Sequence, residues 1–483
     1  MRLPVTGLFQ KRNSSPNLIL AVVCLGVFLG ALDQTVIYGA LPKIMSSINL
    51  PVTRLDQAAW IVIGYLLGYT FAMPLMGRVS DVYGHRRIYI LSLFIFIAGS
   101  LSIALATNLQ WIIGTRVVQA VGAGALVPVA MAIAGDVFSE RRRAVALGIV
   151  GAAAEAGGAL GPFYGATLAQ FWGWRWIFWI NLPVSLMVIF IVLFSLRSSP
   201  RAYGKVDYIG GFLLAAGVGF FGLGLSQESR SPNYLIYLIC FIIVALIFFI
   251  LFGIRIIRAS NPLFKISLFK NLTFSVANLT NVLVGGALII AMVNIPLMSD
   301  TIMGKTAMEG GLRLLRFTIM LSAGAVAGGF LCKRFGYRLP TIIGLIMSAV
   351  GFFLLSRWSL AIADPKMTIH LAICGFGFGL VIAPLATGVM NSVGEDQKAI
   401  ASSLIVTTRL VGMIIGLSAI ISWGMDWFHL MTAGMSLTDI LTAPDQLRQS
   451  FLGMFHNFFL AAMAICIVAV VPALWLKKRP LNL

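Results

Sequence analysis

The sequence predicts an all-α integral membrane protein with fourteen transmembrane helices, built as two six-helix bundles with two helices inserted between them. Three observations carry the prediction. Of 483 residues, 59% are hydrophobic and 11% charged, which excludes an ordinary water-soluble globule. Fourteen apolar runs approach or exceed the roughly 20 residues that a helix needs to cross hydrocarbon while bonding its own N–H and C=O groups. A short loop pattern beginning at Gly77 also returns at Gly329, 252 residues on.

Taken in order, the first run covers 17–44. Lys11 and Arg12 give it the flank of a signal peptide, yet it continues through Asp33 to Ala40 without a small-residue cleavage site, so it reads as a retained helix. Runs at 58–77, 88–106, 109–135, 144–171 and 176–196 complete the first six. The inserted pair lies at 208–225 and 234–254, and the second six at 274–298, 310–331, 340–355, 368–390, 400–423 and 451–476. Between the last two, residues 425–450 carry Trp427, Phe428 and His429, and read either as an amphipathic extension on the outer surface or as an ordinary long loop.

Charge orients these spans. With both termini cytoplasmic, 23 of the 35 Lys and Arg fall in cytoplasmic segments, 10 in external ones and 2 inside the membrane. That bias is the positive-inside rule, so the net charge of +19 faces anionic lipid, and there is no compact basic domain to bind nucleic acid. Cys24, Cys240, Cys332, Cys374 and Cys466 are odd in number and lack CxxC spacing, which speaks against a disulfide framework and a metal site alike. His370, near the start of a span, reads as interfacial, with no cluster around it to hold a metal. No Walker A loop, HExxH or GxSxG element occurs, and the soluble segments are too short for a catalytic domain.

The repeated pattern places Gly77, Asp81, Gly84 and Arg86 of GRVSDVYGHR against Gly329, Lys333, Gly336 and Arg338 of GFLCKRFGYR. Both fall in short cytoplasmic turns after the second helix of a half. The chain then divides into an N-terminal bundle (1–200), a central insert (201–270) and a C-terminal bundle (271–483). Parallel repeats of this kind hold substrate near the midplane between them and work by alternating access.

Lys43, Arg313 and Arg316, near span ends, count as external; four further charges lie within apolar spans, Asp33, Arg116, Glu155 and Arg409. Each costs at least about 2.5 kcal/mol to insert, so each is expected to face a cavity or a partner. Glu155 is the sharpest, and should be able to take up a proton. Subtracting 252 from Arg409 gives 157, which sets an acid and a base at similar depth in equivalent helices. Arg409 is expected to pair with Glu155 or Asp33 in an exchange gated by protons, the alternative being a static salt bridge. Arg116 either pairs with a neighbour or snorkels to the interface. Gly157, Gly161 and Gly165 line one face for close helix packing and Pro162 permits a bend. Gly77 and Gly84 allow a tight turn, where Arg86 and Arg87 can pair with acids or helix C-termini; the cluster is either a latch or a topological anchor, and Asp81 favours the latch.

The loop GRVSDVYGHRR, the stretch RVVQAVGAGALVPVAMAIAGD from Arg116 and GGALGPFYG from Gly157 resemble, in order and spacing, the signature motifs of the major facilitator superfamily. LDQTVIYGALP at 32–42 and WGWRWIFWINLP at 172–183 resemble its fourteen-span drug:proton antiporter branch. WIVIGYLLGYTFAMPLMGRVSD, GAAAEAGGALGPFYG and IASSLIVTTRLVGMIIG are similar to segments of mycobacterial triacylglyceride transporters that act with a periplasmic lipoprotein.

The resemblance implies the major facilitator fold in a bacterial cytoplasmic membrane. It implies functional roles for Asp33, Glu155 and Arg409, proton transfer for Arg116, a cytoplasmic latch at Gly77, Asp81, Gly84, Arg86 and Arg87, and an antiporter motif at Gly157, Gly161, Pro162 and Gly165. Ala166 departs from that motif, which usually has a second glycine there, and the external connection at 356–367 is shorter than that group's extended hairpin. The expected activity is proton-coupled export of lipids or lipid-like molecules by a monomer with no cofactor beyond the proton gradient. Its partners would be the substrate, protons, membrane lipids and an external lipoprotein. Multidrug:proton antiport of lipophilic cations is the alternative, and a non-transporting scaffold or receptor the alternative of another class.

Overall fold

The computed structural model describes residues 15–51, 54–196, 206–227, 233–259, 262–263, 265–394, 397–432 and 444–477. Among them are fourteen helices long and apolar enough to cross a bilayer, and no strand. They are α1 (Pro16–Ser47), α2 (Leu55–Tyr83), α3 (His85–Ala104), α4 (Leu109–Val137), α5 (Glu140–Phe171), α6 (Trp176–Ser195), α7 (Tyr208–Leu225) and α8 (Tyr234–Arg258). After a short 3-10 turn come α9 (Leu272–Thr301), α10 (Ala307–Phe335), α11 (Arg338–Leu355), α12 (Lys366–Met390), α13 (Lys398–Thr432) and α14 (Pro444–Ala473).

Every expected span is present, and most helices outrun their apolar runs. Hydropathy marks only the stretch that lies in hydrocarbon, whereas the backbone ladder continues into the interface and ends at its own caps. At the start of α1, for example, the Ser15 hydroxyl accepts from the Leu18 N–H and Pro16 takes the first helical position. Residues 425–432 of the connection with two sequence readings continue α13, and 433–443 lie outside the described residues.

The repeat is visible in the helix bounds. Adding 252 to the limits of α2 gives the limits of α10 residue for residue. Each ends on a glycine in the left-handed region, Gly84 at φ 97° and Gly336 at φ 72°, so the chain reverses at once into α3 or α11. Packing repeats too. α1 lies on α5 as α9 lies on α13, α2 on α4 as α10 on α12, and α3 against α4 and α6 as α11 against α12 and α14.

The two halves meet chiefly along two seams, α5 with α10 and α2 with α13, and α1 also touches α9 and α10. The inserted α7 packs on α8 and lies against both α2 and α13, while α8 stays almost wholly at the surface. Asp207 ties the pair together: it accepts from the Gly210 N–H at the start of α7 (3.1 Å) and from Arg255 Nε of α8 (2.9 Å).

The α5/α10 seam is closed at one end. There the Met308 N–H donates to Gln170 Oε1 (2.9 Å), Gly311 sits against Pro162 and Phe163, and, deepest, the Thr318 hydroxyl donates to the Ala159 carbonyl (2.9 Å). Along α5 the residues from Gly161 to Ala169 are mostly buried, whereas Val145, Ile149, Ala152, Glu155, Ala156 and Leu160 are exposed. A cleft therefore opens between the halves toward the end that carries the start of α1 and the α2–α3 and α10–α11 turns.

Candidate functional site

Asp33 and Arg116 form a closed ion pair. Arg116 Nη1 donates to Asp33 Oδ2 at 2.8 Å, and both side chains are 0% exposed. The other carboxylate oxygen accepts from Gln119 Nε2 (3.0 Å) and Asn181 Nδ2 (2.9 Å), and both amides also donate to Ser100 Oγ (2.8 and 3.3 Å). Arg116 Nη1 further donates to Gln119 Oε1 (2.7 Å). Helices α1, α3, α4 and α6 thus each contribute to one polar cage, as a carboxylate and a guanidinium sealed from water require. Gly99 allows the cage to form, because a Cβ there would collide with the backbone and Cβ of Gln119.

Arg409 does not take the partner expected for it. Among the described residues it makes no ion pair, and Asp33 is held by Arg116. The reason is the face of α1. Phe28, Leu32, Thr35 and Val36 lie against α5, which turns Asp33 toward α4 and α6 and away from the cleft. Glu155 is exposed and Arg409 half-buried. They come from opposite halves, and Tyr69 of α2 lies within electrostatic reach of both, so Glu155 stands on the side of α5 nearer α2 and α13.

Tyr69 and Tyr65 connect the two settings. The Arg116 guanidinium lies 4.0 Å over the Tyr65 ring, the Tyr65 hydroxyl donates to the Gly30 carbonyl (3.1 Å), and the two tyrosine rings stand 6.0 Å apart. One turn of α2 thus runs from the sealed pair to the cleft charges.

The glycine face of α5 packs directly onto α1. A Cβ at Gly157, Gly161 or Gly165 would strike the carbonyls of Phe28, Leu32 or Val36 respectively. Pro162 has no N–H, so the carbonyl of Gly158, four residues back, loses its helical donor; the Thr35 hydroxyl of α1 donates to it instead, at 2.9 Å. Ala166 is accommodated because glycines face it from two sides, Gly39 of α1 and Gly311 of α10. In the other half α13 repeats the device, with Gly412 against Val282 and Gly416 against Gly286 of α9.

At the open end, Asp81 lies 3.9 Å from Arg78 and 3.6 Å from His85, whose ring also stands 3.8 Å from Asp136. Arg86 donates to the Leu193 carbonyl in the last turn of α6 (2.6 Å), where the negative end of the helix dipole lies, and Arg87 is exposed. Gly77 lies against Pro128 of α4. All these contacts stay within the N-terminal half.

Several residues escaped sequence reasoning. Gln119 and Asn181 sit inside stretches that the motifs single out, and an amide in an apolar helix was the available signal. Ser100, Tyr65 and Tyr69 carry no such mark. Arg313, counted as external, lies in α10 with 6% of its surface exposed and donates to Ser299 Oγ (3.0 Å). Among the described residues no group of His, Cys, Asp and Glu could hold a metal ion.

A family model described as Major Facilitator Superfamily matches residues 23–417. A triacylglyceride transporter of Mycolicibacterium smegmatis is 34% identical over 96% of this chain and 88% of its own length. One of Mycobacteroides abscessus is 37% identical over 84% of this chain and 82% of its own length, and one of Mycobacterium tuberculosis is 34% identical over 94% and 93%. Among solved structures, a bacterial homolog of the human lysosomal transporter Spinster, inward-facing and unoccupied, superposes with a TM-score of 0.70 at 17% identity, covering 98% of this chain and all of that one.

Proposed function

Because this chain belongs to the Major Facilitator Superfamily and is a multi-pass membrane transporter, we propose that it exports lipids or lipid-like molecules across the bacterial cytoplasmic membrane by alternating access, driven by inward proton flow. The observation that carries this reading is the contrast between the two sets of charges. Asp33 and Arg116 are sealed, while Glu155 and Arg409, one from each half, are reached through the cleft.

Protonating Asp33 in place would leave the Arg116 guanidinium without a counter-charge in a site closed to water, at a cost of about 3–5 kcal/mol. Proton uptake is therefore tied to a rearrangement of α1 against α4. Since α1 is keyed to α5 by three glycines and the Thr35 bond, the rearrangement reaches Glu155, and Tyr65 and Tyr69 offer a second route from Arg116 to the same cleft.

The charge bias puts the open end at the cytoplasm, so substrate enters from the inner side. The names and similarity of the mycobacterial relatives favour a lipid. With that end open, Asp81 pairs only within its own half, and the latch engages when the end closes. The working unit is a monomer, and an external lipoprotein accepting the lipid would meet the closed end of the α5/α10 seam.

Reconstituted protein supplied with fluorescent triacylglycerol and an imposed pH gradient tests the proposal. Asp33→Asn and Glu155→Gln are expected to lose gradient-driven transport, and Arg409→Ala to lose lipid movement. Full transport by Glu155→Gln would remove the proton coupling. Movement of cationic dyes with none of lipid would replace the substrate.

A further inference from the structure

The motif WGWRWIFW has no part in the transport cleft. It forms the turn between α5 and α6, where Gly173 at φ 90° lets the chain reverse between two membrane helices. A shallow depression of about 580 Å³ lies there, lined by Trp172, Gly173, Trp174, Arg175, Trp176 and Trp179. It is 17 residues along α5 from Glu155, roughly 25 Å at the helical rise.

Its chemistry is two-sided. Trp172 and Trp176 are 66% and 51% exposed, while Trp174 is buried and packs edge-on against Phe178 to make a fixed floor. Arg175 is held in place by its stack on Trp174, 4.5 Å from the ring, and by donating to the Ala106 carbonyl of the α3–α4 turn (2.9 Å). Among the described residues it makes no ion pair, so a positioned guanidinium keeps its charge and its remaining N–H groups for something outside the fold.

We propose that this corner binds the headgroup of an anionic glycerophospholipid, with Arg175 on the phosphate and the exposed indoles of Trp172 and Trp176 covering the glycerol and upper acyl chains. Both parts of the surface call for it. Guanidinium and phosphate match in charge and in geometry, and indole rings at the end of a membrane helix sit at headgroup level with their apolar faces toward the chains. Free phosphate would satisfy the arginine and leave the aromatic walls unused, so the lipid is the ligand. The site is separate from the cleft and does not depend on which substrate the cleft carries.

Native mass spectrometry of the full-length protein, incubated with phosphatidylglycerol or phosphatidylcholine, tests this. The parent should retain one phosphatidylglycerol and discriminate against phosphatidylcholine. Arg175→Gln should weaken retention roughly tenfold or more, the loss of one charge-assisted contact. Trp172→Ala, at an exposed position, should weaken it several-fold with the melting temperature unchanged. Because Arg175 also braces the α3–α4 turn, Arg175→Lys serves where the glutamine variant fails to fold, and it should keep most of the preference for the anionic lipid. Equal retention of the two lipids, full retention by Trp172→Ala, or displacement by millimolar inorganic phosphate would each overturn the site.

Discussion

Asp33 and Arg116 each lose all contact with water, and each is the other's only charge in the cage. Removing either alone, as Asp33→Asn or Arg116→Gln, is expected to lower unfolding stability in detergent by about 3–5 kcal/mol, and the double variant by less than the sum. Thr35→Val keeps volume but leaves the Gly158 carbonyl without a donor, and should cost about 1–3 kcal/mol in the same measurement. Outside the membrane spans, Asp364 accepts from Thr368 and from Arg316, with 2.9 Å from Arg316 Nη1 to each carboxylate oxygen, and these bonds, the Thr368 hydroxyl first, hold its carboxyl below the ordinary range. A lowered folded-state value means the stabilisation is present at neutral pH and lost as pH falls through it, so a melting-temperature deficit in Asp364→Asn should be full at pH 7 and vanish in acid. At this scale the sequence shows that a charge is buried, because one polar letter stands in an apolar run. It does not show the partner. Depth follows from counting along the helix, but direction turns by about 100° per residue, and that turn gave Asp33 to Arg116 instead of Arg409.

The pairing of α1 with α5 depends on what α5 lacks. Gly161→Leu would drive a side chain into the Leu32 carbonyl and Thr35, and is expected to abolish transport and lower the yield of folded protein. Ala166→Gly should be tolerated, since Gly39 and Gly311 already make room for the methyl, and transport near the parental rate in proteoliposomes is the readout. Most of this level was legible. Span positions follow from hydropathy, and the two turns from glycines at matching offsets, because lipid leaves a chain few alternatives. The compensating glycines opposite Ala166 were not, since they lie on two other helices and become neighbours only through packing.

The molecule as a whole is caught with one end shut. Cysteines at 170 and 308, joined by a short bifunctional reagent, would fix the closed end of the α5/α10 seam and should stop transport until the link is cleaved, as followed by lipid movement in proteoliposomes. Which end stands open was not legible, because one sequence must serve both states and its pattern is the same in each. The inserted α7 touches both halves: Gly211 and Gly219 lie against Leu75 and Leu67 of α2, and Gly222 against Ile414 and Ser418 of α13. Near its end, Ser422 of α13 donates to the Gln227 carbonyl (2.7 Å) and pins it to that side. If the bundles rock as proposed, that hydrogen bond would carry α7 along with α13, and α2, whose Leu67 and Leu75 rest on glycines of α7, would be the surface that slides.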